Sequence, residues 1–509
     1  MKGEEQGNSY RRILKGTSIF GGVQIFNILI NLVRGKFVAV ILGPEGMGIA
    51  SLFTSASLTI QRIASLGLNQ VIVKETASVG DDRERHAALL TIIRRLIGYT
   101  AILGMLLCIL LCVPLSRLTF GSEEYSWQFV VLGTGIGLMI AANGKLAILQ
   151  GLQEVKKISK ASIVGGLTGL FIGVPLYYIF GDKGIVPAIV ALSLAMYIFY
   201  SLSLRSSQSI KPGSLKWKDH GPVLKRLLFL GIVLMASDMI GSLVNYLLNL
   251  FLRVHGSVDE VGLYQAANSV TNQYSGLVFA ALAMDYFPRL SKVSSVNSEM
   301  KGVVNRQTEV VSLLIAPAVC LLILSSPLVI RVLLSEDFFS IIELIRWMGI
   351  GILLKALSFP MGYIAFAKGN KKVFFMLEGL AGNFLYLILG CIGFYFFGLL
   401  GLGYAMVVEN FLILIIYYIV NNRLYEYKFS KEALIYSVIA SAGGGLCFGS
   451  SFFADDALAY LFMSLVSSIV IVWSLIFIRR KYLNDSNGIE ENEEYASRAN
   501  PTEKECQEI

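Results

Sequence analysis

The chain has 509 residues, of which 55% are hydrophobic and only 15% charged, with a formal net charge of +8. Soluble domains carry roughly 25% charged residues, and the longest interior gap between apolar stretches, Arg205 to Pro222, is too short to be such a domain. A basic excess would suit nucleic acid, but here the basic residues flank the apolar stretches, which points to anchoring at a membrane surface and excludes a nucleic-acid partner.

A hydrocarbon core about 30 Å thick takes roughly 20 apolar residues per helix, and only helices or closed barrels satisfy the backbone inside it. Roughly fourteen stretches of helical length follow one another, at about 14–41, 45–67, 87–115, 125–150, 159–180, 184–204, 223–252, 260–287, 308–334, 338–366, 373–397, 400–420, 433–453 and 456–478. They are too long and too apolar for barrel strands. The expected fold is an all-α polytopic membrane protein with about 14 transmembrane helices.

Positive charge gathers at both ends and in every second gap. It includes Arg11, Arg12 and Lys15, then Lys74, Arg83 and Arg85, then Lys156, Lys157 and Lys160, and so on to Arg479, Arg480 and Lys481. A Lys/Arg bias of this kind sets orientation, so both termini are expected on the cytoplasmic side of the inner membrane. The basic, polar N-terminus has no small-residue cleavage site, so the first span is expected to be retained. The acidic tail with Glu490, Glu491, Glu493 and Glu494 is expected to be disordered.

The two halves repeat. The hairpin from Gly43 to Gly48 answers to Gly256–Gly262, Gly151 before Lys156 recurs as Gly369 before Lys371, and Gly181, Gly184 and Ala188 recur with identical spacing as Gly398, Gly401 and Ala405. Parallel repeats about an axis along the membrane normal are a transporter plan. The expected organisation is a six-helix lobe over 1–204, a cytoplasmic linker over 205–222, a second six-helix lobe over 223–422, two additional helices over 423–482 and a tail over 483–509.

Chemistry must then sit on polar groups kept inside the spans. Span one carries Gln24, Asn27, Asn31 and Arg34 on one helical face, span seven Asp238, Ser242, Asn245 and Asn249, and span eight Tyr264, Asn268, Asn272 and Ser275. One such stripe is equally consistent with interhelical hydrogen bonding. Matching stripes on the opening spans of both halves favour a shared water-filled cavity. Arg34, Lys36, Arg62, Lys145 and Lys355 also lie within spans. An ionised Lys at the bilayer centre costs roughly 2.5–3.5 kcal/mol, so Lys355 should face water, a counter-ion or a substrate. An ion pair with Glu343 or Glu378 is the plainer alternative for Lys355, and snorkelling is the alternative for Arg34 and Lys36. A cationic cavity suits an anionic substrate.

Other motifs carry no chemistry. Gly133, Gly135 and Gly137 lie in an apolar span without the Gly-Lys-Ser/Thr ending of a phosphate loop, and are expected to allow close helix packing. Pro114, Pro175, Pro317 and Pro360 are expected to kink or end spans. Cys108, Cys112, Cys320, Cys391 and Cys447 lie in spans, and the three histidines in separate loops, so no metal site, disulfide framework or cofactor is expected. No nucleophile–base pair or carboxylate pair stands on a sizeable loop, so an enzyme is not expected.

The run Gly35–Pro44 followed by Gly46-Met47-Gly48 resembles the opening of Wzx-type O-antigen and common-antigen repeat-unit flippases. Val73–Ala77, Asp259–Gln265, Leu333–Ser335, Trp347, Leu354-Lys355, Gly362-Tyr363 and Ala367-Lys368 through Glu378 extend the resemblance over about residues 10–425. It implies membership of the multidrug/oligosaccharidyl-lipid/polysaccharide exporter superfamily, with a two-lobed fold of six plus six helices. It implies an undecaprenyl-diphosphate-linked oligosaccharide as substrate, with membrane lipids and polysaccharide polymerase or assembly proteins as partners. Lys36, Lys74, Lys355, Lys368 and Glu378 match positions of the resemblance. Arg34, Arg62, Asp238 and Asn245 rest on the residues alone.

The expected substrate-binding set is therefore Arg34, Lys36, Arg62, Lys355, Gln24, Asn27, Asn31, Asn245, Asn249, Asn268 and Asn272, with Asp238 and Glu378 as candidate coupling residues. A multidrug or small-molecule antiporter of the same superfamily is the alternative transporter, although drug cations favour an acidic cavity. A membrane polysaccharide polymerase or ligase is the alternative enzyme, and it would need a substantial external loop.

Overall fold

The computed structural model describes residues 2–78, 83–206 and 239–480, and among them the regular structure is helical throughout, without strands. Most of the linker expected over 205–222 and the whole tail over 483–509 lie outside the described residues. The helices are α1 Lys2–Ser65, α2 Leu68–Ser78, α3 Arg83–Leu110, α4 Cys112–Phe120, α5 Ser126–Gly151, α6 Val155–Phe180, α7 Ile185–Ser206, α8 over the described residues 239–255, α9 Val258–Val293, α10 Asn297–Leu333, α11 Ile342–Ala367, α12 Lys371–Phe374, α13 Gly382–Tyr425, α14 Lys431–Ser450 and α15 Asp456–Ile478.

Among the described residues, nine helical stretches are long and apolar enough to cross a bilayer. Three of these, Phe26–Ser65, Val155–Ser206 and Lys371–Tyr425, run 40, 52 and 55 residues. A 30 Å core takes roughly 20 residues, so each holds two passes. They break at Gly43, Gly181 and Gly398, all at positive φ. Spans seven and eight complete the fourteen: the first is described only from residue 239, and the second carries Asp259, Glu260, Gln265, Asn268 and Asn272, which lower its hydropathy.

The internal repeat is written into the backbone. Gly181 turns at φ +55°, ψ −134° and Gly398 at φ +60°, ψ −146°, a region that is essentially closed to residues with a Cβ. Three residues on, a Cβ on Gly184 would overlap the carbonyl oxygen of Leu176, and one on Gly401 that of Gly393. Each glycine touches the chain eight residues back, so both hairpins close in the same way.

The chain forms two compact units. The first comprises Met1–Gln273, Pro327–Leu344 and Phe375–Ala405, the second Tyr274–Ser326, Ile345–Phe374 and Met406–Ile509. In the first unit α5 is held against α3 and α7 through its glycines: a Cβ on Gly137 would lie 3.1 Å from the Ala101 carbonyl oxygen and one on Gly135 3.0 Å from Val190. The glycines that resemble a phosphate loop are thus packing residues. Phe53, Phe120, Tyr125 and Phe129 fill the space beside them, with Phe120 stacked on Tyr125 at 4.0 Å between ring centroids.

The two repeated hairpins meet in this same unit. A Cβ on Gly48 would overlap the carbonyl oxygen of Val258, and a Cβ on Gly262 that of Pro44. Gly48 and Gly262 occupy equivalent places in the repeat, as do Pro44 and Val258, so the contact is reciprocal. Beside it, Arg253 donates to the carbonyl oxygens of Leu118 (2.7 Å) and Thr119 (3.0 Å), and the Thr119 and Tyr246 hydroxyls are 2.7 Å apart. The guanidinium takes up carbonyls that the end of α4 leaves without helical partners.

In the second unit Pro288, Pro317 and Pro360 sit inside α9, α10 and α11. The buried Tyr286 hydroxyl donates to the Pro360 carbonyl oxygen at 2.7 Å. Asn305 fastens the approach to α14: its amide nitrogen donates to Lys428 O (3.1 Å), and its oxygen accepts from the Tyr427 hydroxyl (3.0 Å) and the Ser430 amide (3.1 Å). Ser430 then caps α14 by accepting from the Ala433 amide, and Asp455 caps α15 by accepting from Ala457.

Because a Cβ at the crossing meets backbone rather than a movable side chain, Gly48→Val and Gly262→Val should each lower stability by about 1–3 kcal/mol, the usual range for overpacking. Thermal unfolding in detergent reads this. Gly98→Ala, which has open space around it, should leave the midpoint unchanged or raise it. An unchanged midpoint in Gly262→Val would contradict the crossing.

Candidate functional site

The polar stripes fall into two kinds, those that pair among themselves and those that present charge. On spans seven and eight the amides pair. Gln265 Nε2 donates to Asn249 Oδ1 at 2.8 Å, and Asn249 Nδ2 donates to Asn245 Oδ1 at 3.2 Å. Asn249 is fully buried, and a buried amide must be bonded on both sides. It serves as interhelical glue, the plainer of its two readings, while Asn245 at the end of the relay is half-buried. One helical turn apart on α9, Asn272 Nδ2 donates to Asn268 Oδ1 at 2.7 Å, and Asn272 is exposed. The hydroxyls of Tyr264 and Tyr386 are bonded to each other.

On span one, Asn27 and Arg34 are half-buried and Asn31 is exposed. The charge of Arg34 reaches the Tyr177 hydroxyl. Lys36 donates to the carbonyl oxygen of Val332 at 2.6 Å, in the last turn of α10. That turn has carbonyls without helical partners and the negative end of the helix dipole, so a cation there is stabilising. Arg62 is exposed in the last turn of α1. The side chain of Gln24 and the whole of Asp238 lie outside the described residues.

Lys355 is the fourteenth residue of the 26-residue α11 and is exposed there. The carboxylate whose field it feels is Glu409 on α13, within the same unit. Glu409 in turn accepts from Asn410 Nδ2 at 3.2 Å. Sequence reasoning offered Glu343 and Glu378 as partners and passed over Glu409. The signal was present, because an acid inside the apolar span over 400–420 obeys the same rule that singles out Lys355.

Glu378 sits in a π-helical turn, Phe375–Ala381, and is exposed. Widening the helix frees carbonyls, and Asn383 Nδ2 donates to two of them, Glu378 O (3.2 Å) and Gly379 O (3.0 Å). Single π turns recur at functional sites. No sequence pattern marked this one.

Among the described residues, the first unit offers separated cations and exposed amides, and the second an intramembrane Lys–Glu couple. Cations of this kind can bind an anion, and amides can bind hydroxyl-rich groups.

Known proteins agree with a transporter of this architecture. The chain is 25% identical over 361 residues to the lipid III flippase of Escherichia coli K12, a match covering 68% of this chain and 83% of the relative. It is 26% identical over 355 residues to a Shigella flexneri protein named for O-antigen transport, covering 66% and 80%. Among solved structures it resembles the lipid II flippase MurJ in an inward closed conformation, with a TM-score of 0.68 at 16% identity over 91% of this chain and 99% of that one. An inward-facing multidrug resistance MATE transporter matches with a TM-score of 0.65 at 17% identity, over 79% and 94%. The fold expected from the sequence is therefore present. Residues 37–343 match the family described as polysaccharide biosynthesis protein, and this multi-pass membrane chain belongs to that family.

Proposed function

We propose that the chain flips an undecaprenyl-diphosphate-linked oligosaccharide from the inner to the outer leaflet of the cytoplasmic membrane, by alternating access of two six-helix lobes over 1–204 and 223–422. The product supplies O-antigen or a related surface polysaccharide. The family membership and the flippase relatives support the substrate class. Both termini face the cytoplasm, in keeping with the charge bias of the gaps.

The observation that carries the reading is Lys355. An exposed ammonium halfway along a membrane helix is unstable against hydrocarbon and stable against water or an anion. Glu409 acts on it electrostatically, and an ammonium has three donors to share with a diphosphate. The first unit separately carries positive charge at Arg34 and Arg62, and its Asn27, Asn31, Asn245, Asn268 and Asn272 offer donors and acceptors to sugar hydroxyls. In this reading Asp238 and Glu378 remain the candidate coupling carboxylates.

The test is flipping of a fluorescent undecaprenyl-diphosphate glycan in proteoliposomes. Lys355→Ala should slow it at least about tenfold, the factor equivalent to 1.4 kcal/mol, whereas Lys355→Arg should retain part of the rate. Lys355→Ala combined with Glu409→Gln should stay slow. Recovery in the double variant would make Lys355 a structural partner of Glu409 and remove the main support for the anionic site. Topology has its own check: in intact cells a membrane-impermeant thiol reagent should label Lys183→Cys and leave Lys211→Cys untouched. The reverse pattern would invert the orientation.

A further inference from the structure

Lys145 lies in an apolar span and takes no part in the site above. It is partly buried in α5, and its ammonium donates to the Ser201 hydroxyl at 2.6 Å while sitting 3.4 Å from the centroid of the Tyr197 ring. Both partners are neutral, so the positive charge is oriented but not cancelled. The ionised groups that act on Lys145 are Arg205 and Arg94, both of the same sign. Three helices thus bring three cations together: α3 supplies Arg94, α5 Lys145, and α7 Arg205. Close packing fixes the arrangement, since a Cβ on Gly144, next to Lys145, would lie 2.5 Å from Ile97 of α3. Like charges held together this way repel unless an anion lies among them.

The depth of the cluster identifies the anion. Arg205 is in the last turn of α7. Lys145 lies six residues before the end of α5 at Gly151, or about 9 Å at 1.5 Å per residue. Arg94 lies five residues beyond Leu89, where the apolar part of α3 begins. Arg205 thus stands at a helix end, Lys145 less than two turns inside one, and Arg94 less than two turns into the apolar stretch of its helix, close to the boundary where hydrocarbon gives way to lipid headgroups. We infer that Lys145, Arg94 and Arg205 form a binding site for the phosphate of an anionic phospholipid, with Ser201 and Tyr197 holding the ammonium in place. Arginine offers paired donors to phosphate oxygens and lysine a point charge. Basic pockets between membrane helices near a headgroup layer are suited to such lipids.

Native mass spectrometry of the full-length protein in detergent tests this, because it reads lipid binding and does not depend on flipping. The parent should retain phosphatidylglycerol over phosphatidylethanolamine by roughly tenfold, equivalent to 1.4 kcal/mol. Lys145→Gln and Arg94→Gln should lose most of that preference, and Lys160→Gln, on α6, should keep it. Arg205→Gln changes an exposed residue at a helix end and serves as the variant whose folding is safe; it too should weaken retention. A second arm adds farnesyl diphosphate. Displacement of phosphatidylglycerol would show that isoprenyl diphosphates share this phosphate site, and persistence would show a site kept for phospholipid; either agrees with the assignment. A parent without preference, or Lys145→Gln and Arg205→Gln proteins that retain phosphatidylglycerol as the parent does, would overturn it.

Discussion

Inside a bilayer a backbone N–H or C=O without a partner costs several kcal/mol, and this single constraint organises the molecule. It forces helices along almost the whole described chain. It also makes each departure from helix conspicuous, because the freed groups need named partners. Arg253 serves the end of α4, Lys36 the end of α10 and Asn383 the π turn at Phe375–Ala381. Lys36, which reads as a binding group in the sequence, is thus engaged in keeping the backbone satisfied.

The same constraint explains the reciprocal crossing of the hairpins. Two helix starts approach until backbone meets backbone, which only glycine permits, and Gly48 and Gly262 supply it at equivalent places. Duplication makes such a contact self-complementary, in the way that a two-fold dimer interface is. A contact built on backbone van der Waals fit is one that the alternating access proposed above could make and break.

Much of this was legible in the sequence because it depends on local properties. Span length and the spacing of Gly181-Gly184 against Gly398-Gly401 each follow from a few neighbouring residues. Pairings between distant residues were not legible in the same way. That Asn249 is bonded on both sides, that Lys36 caps a helix nearly three hundred residues away, and that Asn305 fastens the start of α14 all depend on which faces meet. A stripe of amides looks the same in sequence whether it lines water or ties helices together; here Asn249 does the second, while Asn31 and Asn272 are exposed. Glu409 was different, since intramembrane position alone marks it.

In the alternating access proposed above, the hairpin crossing opens and closes as the two halves exchange access. Glu45 and Asp259 are exposed beside it, one in each hairpin. Spin labels at Glu45→Cys and Asp259→Cys, read by pulsed double resonance in proteoliposomes, measure the separation directly. A short distance without substrate, joined by a second and longer population when an undecaprenyl-diphosphate glycan is added, is the predicted result. One short distance under every condition, in protein that still flips the glycan, would contradict it.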